Sequence, residues 1–297
     1  MGATELERRH GIANALRFEE TPGGLIRAVI STPHAEGDLY PQGAHVAHWT
    51  PRGQRPVLFT SSKSLFAPGK AIRGGVPIIF PWFGAREGDP MHGFARLAEW
   101  ELHEATAVPD GGVSLRFSLP DFAESAVWPP FSANYVVTLT DTLALELIIT
   151  NASPDQPFSF ETCLHTYFFV GDINAVSISG LKGATYLDKV ENFAQKSETA
   201  DALKIASEVD RIYLDTTGPI EIRDEKLRRK IRIATSGSAS TVVWNPWIAK
   251  AQQMPDFGND EYKQMVCVES GNVAKNKIAL APGRSAVLQV KLGSASS

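Results

Sequence analysis

His165 and Glu269 each interrupt an apolar or small-residue run, Thr162-Cys163-Leu164-His165-Thr166-Tyr167-Phe168 in one case and Met265-Val266-Cys267-Val268-Glu269-Ser270-Gly271 in the other. A strand that gives a core-like position to an imidazole or a carboxylate forfeits hydrophobic burial, so the group is either satisfied by polar neighbours or kept for chemistry. Brought together, the two supply a general acid and a general base. The plainer reading of His165 is a core histidine with a backbone partner. Glu269, at the end of a strand-like run, needs a cation or a substrate hydroxyl if its charge is buried.

A second dense segment is Arg73-Gly74-Gly75-Val76-Pro77-Ile78-Ile79-Phe80-Pro81-Trp82-Phe83-Gly84, followed by Met91-His92-Gly93-Phe94-Ala95-Arg96. Two glycines after an arginine allow close backbone approach to a ligand, and prolines stiffen the loop. Arg73, Arg86 and Arg96 flank it with guanidinium forks suited to phosphate or carboxylate. The alternative is a rigid surface loop with solvated arginines and, for His92, a hydrogen-bonded turn histidine. Val243-Trp244-Asn245-Pro246-Trp247 ends another strand with two indoles, whose faces suit sugar rings as well as a core. Asp210-Arg211 reads as an exposed ion pair or as a cleft carboxylate that accepts sugar hydroxyls.

Other signals fail. His45 and His48 are three apart, which sends them to opposite faces of a strand, and His34 and His103 add nothing at metal-ligand spacing. The charged run 223–232 is punctuated by Leu227 and Ile231 and flanked by Ile222 and Ile233 as a hairpin is, so its charge reads as a solvated face. Neither G-x-G-x-x-G nor G-x-x-x-x-G-K-[ST] occurs, so no nucleotide-phosphate cradle is visible.

Composition narrows the partners. Lys and Arg total 29 against 33 Asp and Glu, a net charge of −4, so no basic field exists to hold a nucleic acid. Residues 1–11 are polar where a signal peptide needs an apolar core, and no run approaches the roughly 18 apolar residues of a membrane span. Leu6 stands where a myristoylation signal has Ser or Thr. Cys163 and Cys267 lie in apolar runs and read as reduced core thiols, which makes Asn151-Ala152-Ser153 a sequon in name only. The expectation is a cytoplasmic protein, a monomer or weak homo-oligomer, with no membrane partner.

The elements that must position these residues are strands. From Leu143, LALELIIT puts Leu143, Leu145, Leu147 and Ile149 on one face, a period of two. Similar pieces occupy 25–30, 113–119, 134–140, 158–164, 220–223, 231–234, 241–244, 265–268 and 286–292, with Gly, Pro, Asn or Asp clusters between them. Single helical turns are expected at 6–9 and 198–205, and the small polar tail 293–297 is expected to fray. The fold class is therefore all-β, a large antiparallel β-sandwich or barrel with very little helix. Nothing in 1–297 marks a linker, so one domain is expected.

RGGVPIIFPWFG, HGFAR, LHTYF, VDRIY, VWNPW and MVCVESGNV, in this order from Arg73 to Val273, resemble the hexose-6-phosphate mutarotases, the glucose-6-phosphate 1-epimerase branch of the aldose 1-epimerase family. The resemblance implies a galactose-mutarotase-like β-sandwich, a cleft on one sheet, and neither metal nor organic cofactor. It implies His165 and Glu269 as the catalytic pair, and Arg73, His92, Arg96 and Asp210 as contacts to sugar and phosphate. Met91 stands where many relatives carry a ligand-contacting glutamine.

The chemistry agrees with the residues. Exchange of anomers removes the C1 hydroxyl proton while the ring oxygen is protonated, so one base and one acid suffice, each worth roughly 10²- to 10⁴-fold. Glu269 as base and His165, as imidazolium, as acid fit a hexose 6-phosphate substrate. The alternatives are a glycoside hydrolase using Glu269 and Asp210, a non-catalytic sugar-phosphate-binding protein, and a metal-dependent cupin using His45, His48, His92 or His165.

Overall fold

The computed structural model describes residues 1–109 and 111–296, and its regular structure is mostly antiparallel sheet. One sheet has nine strands in the spatial order Ala202–Leu203, Val176–Ser179, Ile220–Asp224, Arg229–Ser236, Ser285–Ser296, Leu143–Asn151, Phe131–Leu139, Val113–Ser118 and Glu101–Ala107. A second, of eight, runs Ala194–Ser197, Thr185–Asp188, Val209–Leu214, Ser240–Asn245, Met265–Asn272, Thr162–Leu164 and Ile78–Ile79, with Tyr167–Phe169 also paired to Met265–Asn272. A four-stranded sheet formed by Leu16–Glu20, Ile26–Ser31, Ala35–Tyr40 and His45–Pro51 carries the amino-terminal part.

The alternation expected from Leu143 is present: Leu143, Leu145, Leu147 and Ile149 are buried while the residues between them are half-buried. Leu147 lies opposite Leu288, and Leu145 opposite Val290. These residues join Val243, Val266, Val268 and Leu164 of the eight-stranded sheet in one apolar cluster, so the two large sheets pack face to face as a sandwich. Each such side chain contributes about 1.5–3 kcal/mol by leaving water.

The Met265–Asn272 strand is buried at all eight positions, which is why its sequence shows no polar alternation. Val266 and Val268 face the sandwich interior, whereas Met265 and Cys267 face outward into a second cluster with Phe59, Tyr167, Trp244, Phe257 and Tyr262. That outer face is roofed by the helix Trp247–Gln253 and the segment after it. Glu269, two residues on from Cys267, therefore points to the outer side.

Three local expectations are corrected. Residues 198–205 form no helical turn: the Glu198 carboxylate is held by the Tyr213 hydroxyl at 2.8 Å and by Arg211 at 3.2 Å, and Leu203 is drawn into a strand opposite Ile178. The tail does not fray through 293–296, because Gly293 to Ser296 pair with Arg232 to Arg229; Ser297 lies outside the described residues. The turn expected at 6–9 is the longer helix Ala3–His10, with Leu6 buried and Glu5 paired to Arg8 and Arg9. The strand expected to end within 243–247 does end at Asn245, and an unforeseen helix, Trp247–Gln253, follows it. No helix among the described residues is long and apolar enough to cross a membrane.

Candidate active site

The pairing of one strand places His165 beside Glu269. Cys163 and Leu164 pair with Gly271 and Ser270, and Tyr167 pairs with Cys267, so two short strands share one partner with a break at His165 and Thr166. Across the break the His165 N–H donates to the Pro77 carbonyl at 3.0 Å, and the Val268 N–H to the Thr166 carbonyl at 3.2 Å. The break turns the imidazole outward, where its Nε2 lies 3.2 Å from Glu269 Oε1. The Cys163 thiol faces the other carboxylate oxygen, Oε2, at 3.7 Å.

Burial dominates the electrostatics of this pair. It drives the His165 imidazole well below its ordinary range, with His92, Arg96 and Arg73 adding to the effect. It pushes the Glu269 carboxyl well above the usual carboxylate range, Asp210 adding while Lys189 and the Cys163 hydrogen bond oppose. Burial disfavours both charged forms, so the proton of the free pair rests on the carboxyl and the imidazole is neutral. Burial thus favours the uncharged pair, with its one proton on Glu269, whereas the acid role expected for His165 needs the imidazolium.

A cleft of about 290 Å³ opens over the pair. In its wall the Arg73 guanidinium is fixed by the Asp256 carboxylate at 3.0 Å and donates to the Tyr167 hydroxyl at 3.1 Å. Burial works against the Arg73 cation, but Tyr167 and Asp256 overcome it and hold the guanidinium raised. Gly74 and Gly75, with φ of 128° and 59°, shape the turn after it; a Cβ on Gly75 would stand 2.2 Å from the Val46 carbonyl. Asp210 is in the cleft, though not as an exposed pair with Arg211. Its carboxylate holds Lys189 Nζ at 2.9 Å, while Arg211, next along the strand and on the other face, goes to Glu198 and stacks on Tyr186.

His92 lines the cleft with its ring centroid 5.5 Å from that of His165, and its Nδ1 accepts the Gly84 N–H at 3.1 Å. Burial pushes it down to about 3, with Arg96 adding. Arg96 itself is not among the cleft-lining side chains: its Nη2 donates to the Met91 carbonyl at 2.8 Å, and its buried Nε has no partner. Burial pulls this guanidinium down to about 10. Arg86 leaves the site altogether and lies over the stacked Trp82 and Trp128. Of the two indoles, Trp244 lines the cleft and Trp247 packs on Tyr262.

Sequence reasoning missed Lys189, Lys250, Phe83 and Met254, which also line the cleft. Phe83 lies within the segment 73–84, but no local motif marks Lys189, Lys250 or Met254. Lys189 follows the end of the Thr185–Asp188 strand and reaches the site because that strand pairs with Val209–Leu214. His45 and His48 form no metal pair: His45 is buried beneath Gly75, and His48 contacts the Thr50 hydroxyl at 2.9 Å. Among the described residues the grouping that offers metal-ligand atoms within 4.8 Å is His165, Cys267 and Glu269.

Residues 28–293 match the family described as Aldose 1-epimerase. The chain belongs to the aldose 1-epimerase family. As a member it is an isomerase, a mutarotase of aldoses. It is 36% identical over 274 residues to a Cenchrus ciliaris protein named "Putative glucose-6-phosphate 1-epimerase", a match that covers 89% of this chain and 83% of the relative. A Salmonella typhimurium protein described as "a putative mutarotase (YeaD)" superposes with a TM-score of 0.89 at 32% identity, covering 97% of this chain and 96% of that one. Galactose 1-epimerase from Lactobacillus acidophilus NCFM, only 12% identical, superposes with a TM-score of 0.72 over 96% of this chain and all of that one, which shows the shared mutarotase fold.

Proposed function

We propose that this aldose 1-epimerase exchanges the α and β anomers of a hexose 6-phosphate, glucose 6-phosphate foremost, with Glu269 and His165 as its acid–base pair. The observation that carries the reading is the 3.2 Å contact between the two at the floor of a cleft with Arg73, Lys189 and Lys250 in its walls. Relatives named for glucose 6-phosphate support the substrate. The core cluster shared by both large sheets supports reading 1–297 as one catalytic domain.

Ring opening needs one proton taken from the C1 hydroxyl and one given to the ring oxygen, so the proton count of the pair does not change. A pair holding a single proton has the right stoichiometry. A phosphate dianion at Arg73 offsets part of the positive field that, after burial, keeps His165 neutral. Substrate binding thus favours transfer of the proton from Glu269 to His165 across the 3.2 Å contact, which readies a carboxylate base and an imidazolium acid. Rotation about C1–C2 of the open aldehyde and reversal of both transfers closes the ring as the other anomer. Asp210 accepts sugar hydroxyls in this reading, and Arg96, held at the Met91 carbonyl, adds its positive field at the edge of the site.

The hydrolase alternative loses ground because Asp210, its second carboxylate, is engaged by Lys189 at 2.9 Å, whereas the group in contact with Glu269 is an imidazole. The deciding experiment is NMR exchange between the anomers of glucose 6-phosphate, beside plain glucose, with and without protein. Faster exchange with preference for the phosphate ester is expected. Binding without faster exchange would leave only a sugar-phosphate-binding protein.

A further inference from the structure

His165, Glu269 and Cys267 bring a ring nitrogen, a carboxylate oxygen and a thiol sulfur within 4.8 Å of one another, the first two lining the cleft and Cys267 buried beside them. We propose that this trio binds a thiophilic divalent cation of the zinc class, and that the cation switches the enzyme off by occupying the acid–base pair. The binding half stands on the geometry of the trio; the inhibitory half rests on the reaction proposed above.

Cys267 and Glu269 are two residues apart on one strand and so share its outer face, with His165 beside them. Zinc bonds of about 2.0–2.3 Å place tetrahedral donors roughly 3.3–3.6 Å apart. His165 Nε2 and Glu269 Oε1, at 3.2 Å, already have nearly that separation, so only the thiol, within 4.8 Å of both, has to close, by at most roughly 1.5 Å. One thiolate, one carboxylate and one neutral imidazole carry two negative charges, which a dication cancels, as a buried floor requires. Sulfur and imidazole donors favour zinc or cobalt over magnesium or calcium. His165 Nδ1 is buried without a partner, so the ring lacks the outer hydrogen bond found on the histidines of tight zinc sites. Binding is therefore reversible rather than structural, and it releases about two protons, one from the thiol and one from the pair.

The test uses the full chain stripped of metal by chelation. Cobalt titration is expected to saturate at one equivalent with a thiolate-to-cobalt absorption band in the near ultraviolet, and zinc should displace it. Zinc should suppress anomer exchange over the same range, and EDTA should restore it. Cys267→Ser should abolish the band and weaken zinc inhibition at least about tenfold, while metal-free exchange stays within about threefold of wild type. Cys163→Ser should keep the band, although that thiol also touches Glu269. X-ray absorption at the zinc edge of the wild-type protein, with one sulfur among lighter scatterers, reads the same site without a variant. A missing thiolate band, unchanged affinity in Cys267→Ser, or loss of the band in Cys163→Ser overturns the site. Binding with undiminished exchange overturns the inhibitory half alone, and exchange that disappears with EDTA does so too.

Discussion

The His165 imidazole lies nearly parallel to the ring of Tyr167, with centroids 4.9 Å apart and planes within 15°. The Tyr167 hydroxyl in turn accepts from Arg73, so one tyrosine sets both the orientation of the imidazole and the position of the cleft arginine. Burial, with the Arg73 cation opposing it, leaves that phenol pushed up to about 12, so it stays a neutral acceptor for the guanidinium. Tyr167 thus couples the two groups proposed to meet opposite ends of the substrate.

Glu269→Gln and His165→Asn should each slow anomer exchange by at least about a hundredfold, since each removes one positioned proton transfer. Circular dichroism should show an intact fold. Near-wild-type exchange in either variant would withdraw the role assigned to that residue.

Arg73→Met should raise KM for glucose 6-phosphate by roughly tenfold to a hundredfold, the loss of a charge-assisted contact worth about 1.5–3 kcal/mol. Plain glucose should be affected far less, because it has no charge to lose. Equal weakening for both sugars would place the phosphate away from this arginine.

The acid side of the pH profile reports the pair. With plain glucose as substrate, kcat/KM falls when the pair gains a second proton, and burial sets that step well below 6.5. Activity should therefore persist as pH drops through 6.5 and decline only further into acid. An acid limb centred at or above 6.5 would show an ordinary imidazole and contradict the buried, neutral His165.

Stability has its own acid dependence through His45, which burial pushes down to about 3 from 6.5. The unfolded chain binds this proton first, so the contribution is complete above 6.5 and drains away as pH falls toward 3. Between these limits His45 adds about 1.4 kcal/mol per pH unit to the slope of unfolding free energy. His45→Gln should flatten the slope by that amount in urea titrations at several pH values; identical slopes would refute the assignment.

Much of the sandwich is legible in the chain because period-two alternation, as at Leu143 to Ile149, is a local property that burial on one face imposes. The pair was legible for the opposite reason. His165 and Glu269 stand out against apolar neighbours, and a buried ionisable group is costly enough to advertise itself. Lys189 and Lys250 did not, since a lysine beside a turn or on a short helix looks like any solvated lysine. The tail was misread because Gly293 to Ser296 have no apolar pattern and are ordered only by the partner strand, Arg229–Ser236.

The sequence by itself determined the strand-rich class, the two chemical residues and the arginine loop, all of which follow from composition and spacing within short windows. Tertiary structure alone decided that the imidazole meets the carboxylate at 3.2 Å, that Asp210 faces Lys189 instead of Arg211, and that Arg96 donates to the Met91 carbonyl. The physical reason is register. Which side chains share a cleft depends on hydrogen-bonded pairing between strands far apart in the chain, and burial in that shared place then sets where the proton rests.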